Sequence, residues 1–439
     1  MQVVGLLRVA AFLSVGCCLV TVTLCGRGWG MEPIDLDQTG NGSLPSANDW
    51  SQFRGSDGQG HSTAKGLPLT WSESKNVTWK VSIAGLGFSS PVIQGEKIWL
   101  TTALKSEKSL QAICLERVSG QLLHTVEVFT PETLGTLHSK NSYASPTPIL
   151  EGDRVYVHFG PYGTGCLTTN GEIVWKIILS HKTLYGPSNS PVLLDDLLIV
   201  QCHGTNERFI VALDKETGEE RWKTTHELRS PELQHHNSES TPLVIHTPVC
   251  AQLICNVSGW VLAYDPKTGK NLWSVRQEEN FAQVPRPVYG HGLVFTAGGY
   301  FSPLVQAIRP DGRGDVTKSH VVWSERKAIP NNPSPLLVGN ELYLVSDKGI
   351  ASCLEARTGK LNWRERLGGN YSASPLFADG RIYFANESGV ITVVAASAVF
   401  RKLGTNKLDG RLLDSPAVSG KAIYLRTDRH LYRIEKEPV

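Results

Sequence analysis

The side chains able to do chemistry in this 439-residue chain are spread along it rather than gathered into a motif. The segments that lead into a recurring Pro-opened strand carry His138, Asn141, Tyr143, Tyr185, Asn189, Glu239, Arg286, Asn332 and Tyr371. Together they offer hydrogen-bond donors, a guanidinium and aromatic faces, a mixture suited to a polar small molecule, a glycan or an extended peptide. Their competing role is to satisfy loop backbone groups and trapped water. The candidate ligand site drawn from them is His138, Asn141, Tyr143, Arg286 and Tyr371. Arg286 lies between Pro285 and Pro287, whose rings restrict the backbone and would aim the guanidinium at an anionic or polar group. Its alternative partner is Glu239 of a neighbouring unit, an ion pair that needs no ligand.

Other constellations carry less. His235-His236, between Glu232 and Glu239, has metal-ligand chemistry, but adjacent side chains on an extended loop diverge, so the pair needs further ligands. Gly298-Gly299 lacks the strand-to-helix setting of a phosphate cradle. No Cys-x-x-Cys-His is present, which excludes covalently attached c-type haem. Asn76, Asn256 and Asn386 match glycosylation sequons, a pattern common by chance. Lys and Arg number 43 against 41 Asp and Glu, so neither a nucleic-acid face nor an acidic tail is indicated.

These residues are positioned by a unit that recurs about eight times. It runs small-residue–Pro, apolar strand, polar turn, apolar strand, then acidic-x-x-Thr-Gly-x-x-x-Trp. A clean copy spans Ser190-Pro191, Leu213-Asp214, Thr217-Gly218 and Trp222; others reach Trp273 and Trp363. The strand-opening prolines are Pro91, Pro146, Pro191, Pro242, Pro285 or Pro287, Pro335, Pro375 and Pro416. Several short strands per period of about 40–50 residues describe an all-β, eight-bladed β-propeller of four-stranded antiparallel blades. His124 stands near the Trp position of the first copy, and Phe400 or Arg401 in the seventh. The eighth copy stops one strand short at Leu431–Ile434, while an orphan strand around Trp79 precedes the first. That N-terminal strand is expected to close the ring and remove the open edge. Trp222, Trp273 and Trp363 are expected between blades as core.

The repeated acidic-x-x-Thr-Gly-x-x-x-Trp run resembles the quinoprotein-type repeat of the PQQ-like β-propeller family, shared by pyrroloquinoline quinone (PQQ) dehydrogenases and by BamB, which binds no quinone. The resemblance covers residues 77–435. Trp50-x-x-Phe53-Arg54-Gly55 and Leu67-Pro68-x-x-Trp71 look like an exported branch abundant in planctomycetes. Where that branch often has Cys-Asp-Gly-x-Asp, this chain has Cys202-His203-Gly204-Thr205-Asn206, a poorer set for a hard cation. The dehydrogenases hold Ca2+ with Glu, Asn and Asp, use an Asp base, and often carry an adjacent-cysteine disulfide. Here the adjacent pair is Cys17-Cys18, inside the leader, and no matching base Asp is evident.

The leader is Arg8 followed by an apolar run from Val9 to Cys25, read as an export signal over residues 1–30. Residues 31–49 read as a flexible linker, 50–76 as a head segment packing on the propeller, and 77–439 as the propeller. Cys114, Cys166, Cys202, Cys250, Cys255 and Cys353 read as buried thiols, with Cys250 and Cys255 possible neighbours. The sequence thus describes an exported, periplasmic or secreted monomer, membrane-associated at most. It would act as a non-catalytic binding or scaffolding module of the cell envelope, with no cofactor. Its partners would be an envelope protein, peptide, glycan or small polar ligand, not nucleic acid, and the mature chain would have no transmembrane domain. The alternatives are a PQQ- and Ca2+-dependent or metal-dependent oxidoreductase, and a BamB-like envelope assembly factor.

Overall fold

The computed structural model describes residues 48–225, 238–277 and 282–437. The leader, most of the linker, Glu232 and the His235-His236 pair lie outside the described residues. Eight antiparallel sheets follow one another, seven with four strands and one with five. A typical blade is Val192–Leu194, Leu197–His203, Arg208–Asp214 and Glu220–Thr225, paired in sequence order. The eighth blade is completed by the N-terminal strand Val77–Ser82, which runs antiparallel to His430–Glu435 with Trp79 opposite Arg433. The ring therefore closes through strands from both ends of the propeller, and no outer edge is left at the seam.

The reason for the recurring Pro becomes visible at the inner ends of the blades. A residue before Pro is forced into extended backbone, and its own N–H is the last donor before the strand. In seven places that N–H donates to the hydroxyl of the next blade's equivalent residue. The links run Ser90 to Thr147, Thr147 to Ser190, Ser190 to Thr241, Arg286 to Ser334, Ser334 to Ser374, Ser374 to Ser415 and Ser415 back to Ser90, all at 2.9–3.0 Å. The second blade thus opens at Thr147-Pro148, its first strand being Ile149–Glu151, and not at Pro146 as the spacing suggested. Position 286 is the one member of the ring with no hydroxyl, so Thr241 lacks the corresponding link.

A second belt joins the blades further out. The indole N–H groups of Trp79, Trp175, Trp222, Trp323 and Trp363 each donate to a turn carbonyl of the following blade, at Arg117, Lys215, Pro266, Ala356 and Ser397. Four of these turns lay a glycine flat on the ring. A Cβ on Gly120, Gly218, Gly269 or Gly359 would fall 2.5–2.8 Å from the indole, and all four have φ between 69° and 77°. The Thr-Gly of the repeat is therefore a docking surface as well as a turn. Its acidic residue organises the same turn: Asp214 accepts from the N–H groups of Glu216 and Thr217 and from the Thr217 hydroxyl. Arg221 and those Thr217 contacts hold its carboxyl down at about 2. Trp273 and Trp363 are buried and Trp222 is half-buried, all in interblade packing.

Three blades depart from the rule. In the first, His124 stands opposite Cys114, as Trp175 stands opposite Cys166, and its ring stacks on Trp99 of the same blade. Trp273 donates to Gln252 Oε1 at 2.8 Å, and Gly314–Asp315 from the fifth blade adds a parallel strand beside Asn271–Arg276. In the seventh blade the Trp position is neither Phe400 nor Arg401 but Gly404, opposite Val393 as Trp363 is opposite Cys353. The preceding turn is longer, and Phe400 instead packs on Trp363 at 5.0 Å. The head segment fills the space over Gly404. Leu69 lies against Gly404, Trp71 stacks on Tyr383 at 6.4 Å, and Asn406 clasps the backbone at both residues. Tyr383 holds the place of Tyr343, which Trp363 covers in the blade before. Trp71 thus supplies the aromatic that the seventh blade's own outer strand lacks.

Upstream of Trp71 the head segment crosses the end of the channel where the first two strands of each blade turn. It bonds to the innermost strands at Ile93, Leu150, Tyr289, Leu337, Phe377 and Ser419, contributed by six different blades. Cys114, Cys166, Cys202, Cys250, Cys255 and Cys353 are free thiols, Cys250 half-buried and the others buried. Cys250 and Cys255, expected as neighbours, lie five positions apart, Cys250 just ahead of the extended strand Ala251–Val257 that carries Cys255, and form no disulfide. Among the described residues no helix is long and apolar enough to cross a membrane. If Trp71 acts as the seventh blade's aromatic, Trp71→Ala should cost about 3–5 kcal/mol, as a buried Trp363→Ala should. Denaturant unfolding of both variants checks this; a wild-type midpoint for Trp71→Ala would show that the head segment is only draped on the ring.

Candidate functional site

The end of the channel opposite the head segment is built from the connections that enter each innermost strand. His138 and Asn141 meet there around one carbonyl: the His138 N–H and the Asn141 side-chain amide both donate to Tyr185 O, at 3.2 and 2.8 Å. His138 is exposed, its ring edge-on to Tyr185. Asn141 spends its oxygen on Ser142 N–H and the Ser145 hydroxyl. Tyr143 is buried and donates to Gly135 O at 2.6 Å. Tyr371 is fully buried in the core between the sixth and seventh blades, where burial pushes its phenol up to about 12. The same end is laced across the ring by Lys140 and Arg411 on Glu387, at 2.6 and 3.8 Å.

Arg286 departs most from the sequence reading. It is not at the mouth and does not pair with Glu239. It occupies the hydroxyl ring's eighth position and turns toward the head segment, with Nε donating to Pro242 O at 3.1 Å and Nη1 to Phe53 O at 2.7 Å. A Cβ at Gly58 would lie 2.5 Å from Nη1, so only glycine fits there. The five candidate residues therefore do not form one site: His138, Asn141 and Tyr143 share a loop, Tyr371 is core, and Arg286 anchors the head segment.

What the fold does bring together is a small polar cavity of about 10 Å³ between the third and fourth blades, room for about one water-sized group. Glu239, Gln201, Ser188, Asn189 and His181 line it. Gln201 Nε2 is tied to Ser238 Oγ and Ser240 O, both at 3.1 Å, which fixes its carbonyl oxygen without giving it a donor. Glu239 receives the Ser188 hydroxyl on Oε2, while its Oε1 is shut off from solvent and has no donor. Burial pushes the Glu239 carboxyl up to about 8. His181 directs Nδ1 at Leu179 O, at 2.7 Å, and burial lowers its pKa. The pocket thus presents an acceptor at Gln201 Oε1 and, with its carboxyl holding a proton at neutral pH, a group at Glu239 able to donate as well as accept, the complement of a hydroxyl- or amide-bearing ligand. Gln201 escaped the sequence reading because it sits inside a strand, where a lone amide reads as ordinary strand polarity.

A Ca2+-held quinone does not fit the residues present. Among the described residues no three His, Cys, Asp or Glu side chains gather as a metal seat. Of the buried carboxyls at this end, Glu239 is tied to Ser188, while Asp414 sits in the field of Arg426, with burial raising the Asp414 pKa.

Glu239 yields a pH test. A carboxyl whose folded pKa lies above its unfolded value favours the fold fully below about pH 4.5, and that contribution is lost as pH rises through about 8. Glu239→Gln should therefore melt higher than wild type at pH 9, and the gap should close below pH ~4.5. Parallel melting curves across that range would mean that Glu239 ionises freely.

A family profile described as outer membrane protein assembly factor BamB matches residues 140–348 and 257–399. The crystal structure of BamB from Moraxella catarrhalis superposes with a TM-score of 0.60 at 12% identity, covering 83% of this chain and 98% of that one. A europium-containing methanol dehydrogenase gives 0.65 at 10% identity, covering 89% and 90%. Quinohemoprotein alcohol dehydrogenase from Comamonas testosteroni also gives 0.65 at 10%, covering 92% and 83%. At these identities the structural likeness is one of fold. A probable quinate dehydrogenase (quinone) from Xanthomonas campestris pv. juglandis is 26% identical over 141 residues, a stretch of 28% of this chain and 18% of that protein. The profile match spans most of the ring that the hydroxyl and tryptophan belts hold together, and the chain belongs to the PQQ-like β-propeller family that includes BamB.

Proposed function

We propose that this protein is a non-catalytic binding module of the cell envelope, exported by its leader, which recognises a polar, donor-bearing group at the loop end of its channel. One observation carries the reading. The head segment bonds to the innermost strands of six blades at one end, while the orphan oxygens of Glu239 and Gln201 stand at the other. A buried acceptor without a donor is costly, and a ligand that supplies one recovers that cost. The BamB profile and the 98% coverage of the BamB structure support a partner among envelope proteins or their glycans, and with it a scaffolding or assembly role.

The second reading is a quinoprotein-type oxidoreductase, favoured by the fold likeness to alcohol dehydrogenases at a TM-score of 0.65. It asks the channel to hold a Ca2+-bound quinone, which the carboxyl arrangement described above does not suit.

Two measurements separate the readings. Purified protein mixed with PQQ and Ca2+ should show neither saturable binding nor dye-linked alcohol or sugar dehydrogenase activity; either result would favour the enzyme. A photo-crosslinking residue at Tyr185 or Asn332 should capture a discrete envelope component in its native membrane. The same group at Asp379, beside the head segment, should not. Equal capture at both ends would remove the loop end from the proposal.

A further inference from the structure

Two guanidinium groups are buried together where the head segment meets the hydroxyl ring, and neither has a carboxylate within ion-pair distance among the described residues. Arg286 is 2% exposed and Arg54 1%. Arg54 makes one hydrogen bond, Nη2 to Gln59 O at 2.7 Å; its Nε and Nη1 are shut off from solvent with no acceptor. Arg286 uses Nε and Nη1 on Pro242 and Phe53 carbonyls and leaves Nη2 without a protein partner. The one acid nearby, Asp57, is committed elsewhere: Oδ2 to His61 Nδ1 at 2.6 Å and Oδ1 to Gln59 N–H at 2.8 Å. His61 passes its other nitrogen to Leu337 O. Two cations against one carboxylate leave a net positive charge inside the protein, where an uncompensated charge is expensive.

The surroundings are shaped for these side chains. Gly58 and Gly60 both take positive φ, and a Cβ on either would strike a guanidinium, Arg286 at 2.5 Å and Arg54 at 2.8 Å. Arg54 itself adopts φ 67°, which a non-glycine residue accepts only when its contacts require it. Burial, and for Arg54 the neighbouring Arg286, pulls both groups down, Arg54 to about 9 and Arg286 to about 10. The ring tolerates serine or threonine at its seven other positions, so an arginine here is not needed to join blades.

We propose that the channel holds a small anion, an oxyanion or a carboxylate, against Arg286 Nη2 with the Arg54 charge behind it. Charge-assisted hydrogen bonds from a guanidinium match both chemistries. The site lies on the head-segment side of the ring and is independent of any ligand at Glu239.

The test uses the full chain in equilibrium urea unfolding at constant ionic strength, with chloride replaced stepwise by inorganic phosphate in one series and by acetate in another. An anion bound to the native state raises the midpoint saturably. The series that saturates at lower concentration separates oxyanion from carboxylate. Arg286→Ser restores the hydroxyl that the other blades carry, gives Thr241 N–H its missing acceptor, and is expected to fold. It should lose the response or weaken the apparent affinity at least about tenfold, a change of about 1.4 kcal/mol. Arg54→Gln carries the same test should Arg286→Ser fail to fold. No saturable shift in either series, or an undiminished shift in the folded variant, would overturn the proposal.

Discussion

The structure depends on closing a ring of eight similar sheets, and two concentric belts of hydrogen bonds between neighbouring blades do so. The inner belt joins backbone N–H groups to Ser and Thr hydroxyls ahead of each Pro. The outer belt joins indoles to turn carbonyls. Each bond is modest alone, of the order of 1 kcal/mol. What matters is that every donor sits one blade away from its acceptor. In these belts a blade's donors are met by its neighbour, Trp273 on Gln252 of its own blade being an exception, and closure by Val77–Ser82 carries the outer belt across the seam. This is nearest-neighbour coupling as in a linear repeat array, but without terminal units to cap.

The exceptions to the belts are more instructive than the rule. Gly404 leaves the seventh blade without its aromatic, and Trp71 comes from outside the blades to replace it. Position 286 leaves the inner belt without a hydroxyl, and its guanidinium reaches Phe53 in the same head segment. Both departures are therefore answered by residues 53–71. The head segment is an integral part of the ring's packing, and the sequence positions that break the repeat are where it attaches. A segment held at two irregular sites, with the innermost strands at Tyr289, Leu337 and Phe377 bonded between them, is registered on the ring in one way.

Most of the architecture was legible because repetition averages out local ambiguity. One Thr-Gly-x-x-x-Trp run is weak, but several copies at even spacing identify a blade, and an unfinished last copy identifies the closing strand. The misreadings have physical causes. Pro146-Thr147-Pro148 offers two prolines, and only the hydroxyl between them shows which one opens the strand. Phe400 resembled a Trp substitute because it is aromatic, yet it serves the preceding blade. Arg286 read as a mouth residue because arginine is rarely fully buried. Nothing local reveals that a segment more than two hundred residues upstream covers it. Tyr371 misled in the same way, since a tyrosine beside a turn is as often core as contact. Glu239 was legible as a mouth residue, while Gln201, its partner in leaving an oxygen unmet, was hidden by its strand.

The likeness to alcohol dehydrogenases and to BamB is of similar depth in the backbone, with TM-scores of 0.65 and 0.60, so the fold does not choose between catalysis and docking. In this chain the axis is occupied by groups that hold the protein together: ring hydroxyls, two arginines and the head-segment backbone. At the loop end, between the third and fourth blades, Glu239 and Gln201 each keep a buried oxygen with no donor among the described residues. Held by a rigid scaffold, such oxygens recover their desolvation cost when a ligand hydrogen-bonds to them, and that is the side-chain feature on which the binding reading proposed above rests.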